Sequence, residues 1–297
     1  MSIYSQVEGN KTKTYLIMAL FMGFIALVAY IFGQASGYGI SYAGIALMIS
    51  GLLTLGSYYY GDRLVLALSG AHPADRNKDF DFYTVAENLS IAAGLPTPKL
   101  YIIEDTATNA FATGRDPKHA VVCATRGILQ KLDRAELEGV IAHELSHVKN
   151  YDIRLMAVVA VLVGMIAFLS DWFLRSLWWG GRKDRDNDKL GGMIFIVGIV
   201  LALLSPVIAS LIQLAVSRRR EFLADASGAL LTRYPEGLAR ALEKISKDKE
   251  VLEVATNATA HLYIANPFKG KDFGAWFAGL FNTHPPIEER IKILRSM

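Results

Sequence analysis

Cysteine is almost absent. The 297-residue chain has one, Cys123, which excludes an intrachain disulfide framework and a zinc knuckle built on thiolates. Charge is scarce too: Asp, Glu, Lys and Arg make up 20% of the residues and mean hydropathy is +0.29, excluding disordered, collagen-like and coiled-coil chains. The net charge of +3 is small, its cations gather beside apolar runs, and no nucleic-acid recognition motif is present, so nucleic acid is not expected as a partner.

The largest gap in charge is local. Positions 14 to 61, 48 residues, contain no Asp, Glu, Lys or Arg, whereas one membrane-crossing helix needs about 20. Two spans fit there, Thr14–Gly33 and Ile40–Tyr58, with Gln34 to Gly39 as a glycine-bearing reversal. The first exceeds the roughly 7 to 15 apolar residues of a signal peptide, so it is expected to be retained. A third apolar run begins at Leu155 and continues past Asp171 and Arg175, which can pair at i, i+4 beside Trp178 and Trp179; a fourth runs uncharged from Leu190 to Ser217. The uncharged part of the third run, Leu155 to Ser170, is short for a span, and a hairpin buried against protein is the alternative reading. Lys11, Lys13, Arg63, Lys149, Arg154, Arg218, Arg219 and Arg220 flank one side of these spans. Only Arg182, Lys183, Arg185 and Lys189 flank the other. That bias puts the tails and the polar middle on the cytoplasmic face of a multi-pass cell-membrane protein. The expected domains are a tail and first hairpin (1–61), a first cytoplasmic segment (62–154), a second hairpin (155–217) and a second cytoplasmic segment (218–297), the two segments on the same side and able to build one domain.

His143-Glu144-Leu145-Ser146-His147 is an HExxH sequence. Its helix is expected to start at Asp133 as N-cap, with Glu136 three residues on closing a capping box and Leu132 meeting Leu137 as a hydrophobic staple. At about 100° per residue, Leu137, Ile141, Leu145 and Val148 form one stripe, and both histidines fall roughly opposite it. Histidines at i and i+4 can share one Zn²⁺, while Glu144, adjacent but not a ligand, can serve as general base toward water that the metal activates. A catalytic zinc needs a third protein ligand and an open position. Glu221 and Asp225 share a helical face, suiting a carboxylate ligand and a carboxylate that accepts the free N–H of a ligand histidine. His147 precedes the third run by about eight residues and Glu221 follows the fourth by about five, so both fall within roughly 8 to 12 Å of a bilayer.

HELSH at 143–147, REFLADASGA at 220–229, NAFATG at 109–114 and His284-Pro285-Pro286 together resemble the HtpX membrane metalloprotease family and, more distantly, the CAAX prenyl endopeptidase. The resemblance implies an α+β zincin-like metallopeptidase domain joined to a membrane domain of four transmembrane helices. It implies one Zn²⁺ per chain on His143, His147 and Glu221, with Glu144 as base and Asp225 orienting a ligand. It also implies cleavage of misfolded or damaged membrane proteins from the cytoplasmic side. His284 is then expected near the metal, stabilising the oxyanion; its plainer role is to announce a helix at the prolines. Lys99–Ile103 and His119–Ala124 read as strands, and Asn109–Thr113 as an edge strand. Asn109, Ala110, Phe111 and Ala112 could bind an extended polypeptide by strand addition. His72, His119 and His261 read as surface or structural, and Cys123 as a small core residue. A contrasting reading is a catalytically silent zinc-containing membrane scaffold or transporter, for which a metal closed by four protein ligands would speak. The sequence gives neither natural substrates nor oligomeric state.

Overall fold

The computed structural model describes residues 3–35, 41–180, 218–256, 259–267 and 285–297. Two long helices open the chain, α1 (Ile3–Ala35) and α2 (Ser41–Leu68). After the short strand β1 (His72–Pro73) come α3 (Phe80–Ala93), β2 (Lys99–Ile103), β3 (Ala110–Thr113), β4 (Val121–Thr125) and the short α4 (Arg126–Lys131). Then follow α5 (Arg134–Lys149), α6 (Asp152–Gly180), α7 (Arg218–Thr232), α8 (Pro235–Lys247) and α9 (Ile287–Leu294). Helices α2 and α6 run unbroken through positions 61/62 and 154/155. The fourth apolar run, the charged loop Arg182–Lys189 and His284 lie outside the described residues.

The sheet is mixed, in the order β1-β2-β4-β3, with β2 and β4 parallel and the two outer strands antiparallel to their neighbours. The strand expected from His119 begins at Val121 instead. Asp116 accepts the Lys118 and His119 amides and winds 117–119 into a 3-10 turn, where proline suits the first position. Alternation in β4 sends Val122 and Ala124 to the face covered by α3, α5 and α8, and Val121 and Cys123 to the other. On that second face Phe111 meets Tyr263 edge-on at 5.2 Å, both fully buried, a contact adding about 0.5 to 1.5 kcal/mol beyond its area.

Helices α1 and α6 share a separate apolar core, with Ile17, Met18 and Phe21 against Leu155, Val158, Val159 and Leu162. Among the described residues no helix is long and apolar enough to cross a membrane. The face that α1 and α2 present outward is nevertheless built of large apolar side chains, including Leu16, Leu20, Met48 and Leu52.

Candidate metal centre

The capping box at the start of α5 forms as its residues dictate: Asp133 accepts the Glu136 amide at 2.9 Å, and Glu136 accepts the Asp133 amide at 2.8 Å. Such a cap is worth about 1 kcal/mol. It fixes the phase of the helix, so His143 and His147 stand one turn apart with their rings edge-to-face, 4.8 Å between centroids. The face opposite the apolar stripe is not a surface. Both histidines and Glu144 are buried, because further elements close over them.

Helix α7 is one of these. At Gly228 a methyl group would stand 3.1 Å from the His143 backbone nitrogen, tighter than ordinary packing tolerates. A side chain there would push α7 away, and with it the carboxylates one and two turns earlier. With glycine in place, Glu221 Oε1 lies 3.5 Å from His147 Nε2 and Oε2 lies 3.7 Å from His143 Nε2. The two Nε2 atoms are 3.2 Å apart. For bonds of about 2.0 to 2.2 Å, neighbouring ligands in a tetrahedron stand about 3.3 to 3.6 Å apart, and one ligand atom from each of the three residues lies within 4.8 Å of the others, close enough for all three to turn toward one ion. His143, His147 and Glu221 also form the only group of potential ligands among the described residues that converges in this way.

Each imidazole is oriented by its own carboxylate. Asp225 Oδ1 stands 2.9 Å from His143 Nδ1, and Asp152 Oδ2 stands 3.1 Å from His147 Nδ1. With both Nδ1 atoms turned to carboxylates, both Nε2 atoms are left facing Glu221, an arrangement that a cation would complete once His147 gives up its second proton. Asp225 is held in turn by Arg290 of α9, fully buried, whose Nε and Nη2 reach its two oxygens at 2.8 and 2.7 Å. Arg290 Nη1 is also 3.7 Å from Glu221 Oε2.

Electrostatics records the same shortage of positive charge. Burial alone would strip His147 of its proton, but the Asp152 hydrogen bond and the charges of Glu221, Asp152 and Glu144 push it up to about 9. Burial holds His143 below its ordinary value against the pull of Asp225. Glu144 is pushed up to about 7, mostly by burial and further by Glu221, while His147, Arg290 and the Ala112 amide that donates to it pull the other way. A carboxyl poised near neutrality suits proton transfer in either direction.

Strand β3 is the outer strand on this side of the sheet, as its pattern suggested. Its outward amide at Ala112 is the one that meets Glu144. Around Ala110 the edge is already covered: Ala110 O accepts the Ile264 amide at 3.0 Å, and the Asn109 side chain donates to Ala265 O at 3.1 Å. Asn109, Ala110, Phe111 and Ala112 are all buried.

Sequence reasoning missed Asp152, Arg290 and the cover at 264–265. Arg290 did carry a signal. It occupies an apolar-stripe position of α9 with Ile287, Ile291 and Leu294, and a charge there implies a buried partner.

Compared with known proteins, residues 77–297 match the model of peptidase family M48. A protease HtpX homolog of Caldanaerobacter subterraneus is 44% identical, the alignment covering 100% of this chain and 98% of that one. A protease HtpX homolog of Dictyoglomus thermophilum is 46% identical over 100% of this chain and 95% of that one. The crystal structure of S. mikatae Ste24p superposes with a TM-score of 0.50 at 17% identity, covering 98% of this chain and 67% of that one, a likeness of fold.

Proposed function

Because the chain belongs to peptidase family M48 and is a metalloprotease, we propose that it cuts misfolded or damaged membrane proteins at the cytoplasmic face of the cell membrane, with one zinc ion on His143, His147 and Glu221. The observation that supports the zinc most directly is the convergence of two Nε2 atoms and a carboxylate at 3.2 to 3.7 Å. When bound, zinc supplies a Lewis acid that acidifies water to a pKa of about 7 and polarises a carbonyl. Glu144 takes a proton from the attacking water and passes it to the leaving amine nitrogen as the peptide C–N bond breaks. Asp225 and Asp152 keep the imidazoles in the tautomer that presents Nε2. His284 is assigned the developing oxyanion.

The substrate lies extended along β3 in this reading. It pairs near Ala112, beyond the part of the edge that Ile264 and Ala265 occupy, and takes the Ala112 amide over from Glu144. Main-chain pairing asks little of side chains, which suits a protease acting on many damaged proteins.

Membrane attachment is supported by the inverted character of α1 and α2. Leu52 is 71% exposed and Met48 66%, whereas Thr14, Ser50, Thr54 and Ser57 are buried, each hydroxyl donating to a carbonyl three or four residues back in its own helix. Apolar outside with self-satisfied hydroxyls inside is the arrangement a hydrocarbon solvent favours. The uncharged 14–61 stretch and the runs beyond Leu155 and Leu190 supply the four spans of this reading.

The test is Glu144→Gln in the purified full-length protein, assayed on unfolded casein. Loss of the base is expected to slow cleavage about 10²- to 10⁴-fold while zinc content stays at the wild-type level. Cleavage at the wild-type rate would remove Glu144 from the mechanism and the proposal with it.

A further inference from the structure

Asp152 has two oxygens, and only Oδ2 is engaged by His147. The other, Oδ1, accepts a hydrogen bond from Asn10 Nδ2 at 2.7 Å, and the same amide nitrogen donates to Asn150 O at 2.9 Å. Arg220 Nη1 stands 3.5 Å from that oxygen. Asn10 is 4% exposed and sits in the first turns of α1, next to the uncharged stretch and outside residues 77–297. Both of its partners are acceptors, so the amide can satisfy them only with its nitrogen turned inward.

We infer that Asn10 is a positioning residue of the metal centre, so that α1, a helix lying wholly ahead of the segment matched by the family model, completes the active site. The inference rests on the zinc reading above. A carboxylate on a short side chain can swing about its χ angles unless its second oxygen is tied. Asn10 ties it from a helix that packs along α6, and the hydrogen bond arrives from a chain position more than a hundred residues away. The contact gives His147 a fixed acceptor for Nδ1–H and therefore a fixed direction for Nε2. Buried, the bond is also one whose loss leaves that oxygen with the longer Arg220 contact alone.

The experiment compares wild type, Asn10→Leu, Asn10→Asp and Thr54→Val in detergent-solubilised full-length protein. Zinc affinity is read by competition with a chelator, and thermal midpoint separately. Thr54→Val also removes a buried hydroxyl from the hairpin, but one bonded only within its own helix. Asn10→Leu and Asn10→Asp are expected to weaken zinc about 10- to 100-fold, while Thr54→Val leaves it unchanged whatever it does to the midpoint. Because Asn10 acts through Asp152, adding Asn10→Leu to Asp152→Ala is expected to cause no further loss of zinc affinity. Two results would overturn the inference: both Asn10 variants holding zinc as tightly as wild type, or Asn10→Leu and Asp152→Ala adding in full. Failure of the underlying reading has a different signature, since wild-type protein would then bind no zinc at all.

Discussion

Helices α2 and α5 solve opposite problems with polar residues. In α2 the buried groups are hydroxyls, and each closes on its own backbone: Ser50 on Leu47 O, Thr54 on Ser50 O, Ser57 on Thr54 O. At the metal centre the buried groups of α5 are His143, Glu144 and His147, and their partners come from α6, α7, α9 and β3, while Ser146 closes on Ala142 O as the α2 hydroxyls do. The buried hydroxyls of α2 are satisfied within their own helix. The buried ionisable groups of α5 depend on an assembled network, because each would otherwise be stranded.

The sharpest way to break that comparison is to put an apolar residue into the network. Arg290→Leu removes the fully buried guanidinium from Asp225, and loss of one partner of such a pair costs about 3 to 5 kcal/mol. A matching drop in thermal or denaturant stability is expected, together with weaker zinc retention through Asp225 and His143. Unchanged stability would mean that the pair is dispensable.

The converse substitution puts charge on the hairpin. Leu52→Lys on α2 should cost about 2.5 to 3.5 kcal/mol if that face meets lipid. Ile91→Lys on α3, at a residue 77% exposed, should stay within about 0.5 kcal/mol. The fraction of protein retained in membranes after carbonate extraction separates the two; equal behaviour would put α2 in water.

The gentlest probe is pH. In metal-free protein His147 titrates at about 9, above its ordinary 6.5. Its contribution to stability is therefore complete below pH 6.5 and is lost as pH rises through 9. Zinc must displace that proton, so zinc affinity is expected to climb roughly tenfold per pH unit from about 7 to about 9 and then level off. Chelator competition at several pH values checks it, and a flat profile would show that His147 binds without releasing a proton.

Local rules made α5 legible before any coordinates. The Asp133 cap sets its start, the histidines follow at one-turn spacing, and Glu221 with Asp225 repeats that spacing on a second helix. What stayed hidden depends on pairing between distant, aperiodic segments. Asp152 stands at the first turn of the next helix, where no periodicity ties it to His147, and Asn10 reaches it from the other end of the fold. The cover over β3 comes from residues 264–265, a stretch with neither helix nor strand pattern. Edge character could be read from the short strand and its turn; occupancy of that edge could not, since nothing local to Ala110 specifies which segment donates to it.

The central claim is that residues 143, 147 and 221, from the helices α5 and α7, bind one cation. Zinc stoichiometry in purified wild type, Glu144→Gln and Glu221→Ala tests it most directly. The account predicts about one zinc per chain in the first two and loss of zinc together with proteolysis in the third. A Glu221→Ala protein that keeps stoichiometric zinc at wild-type affinity would contradict it.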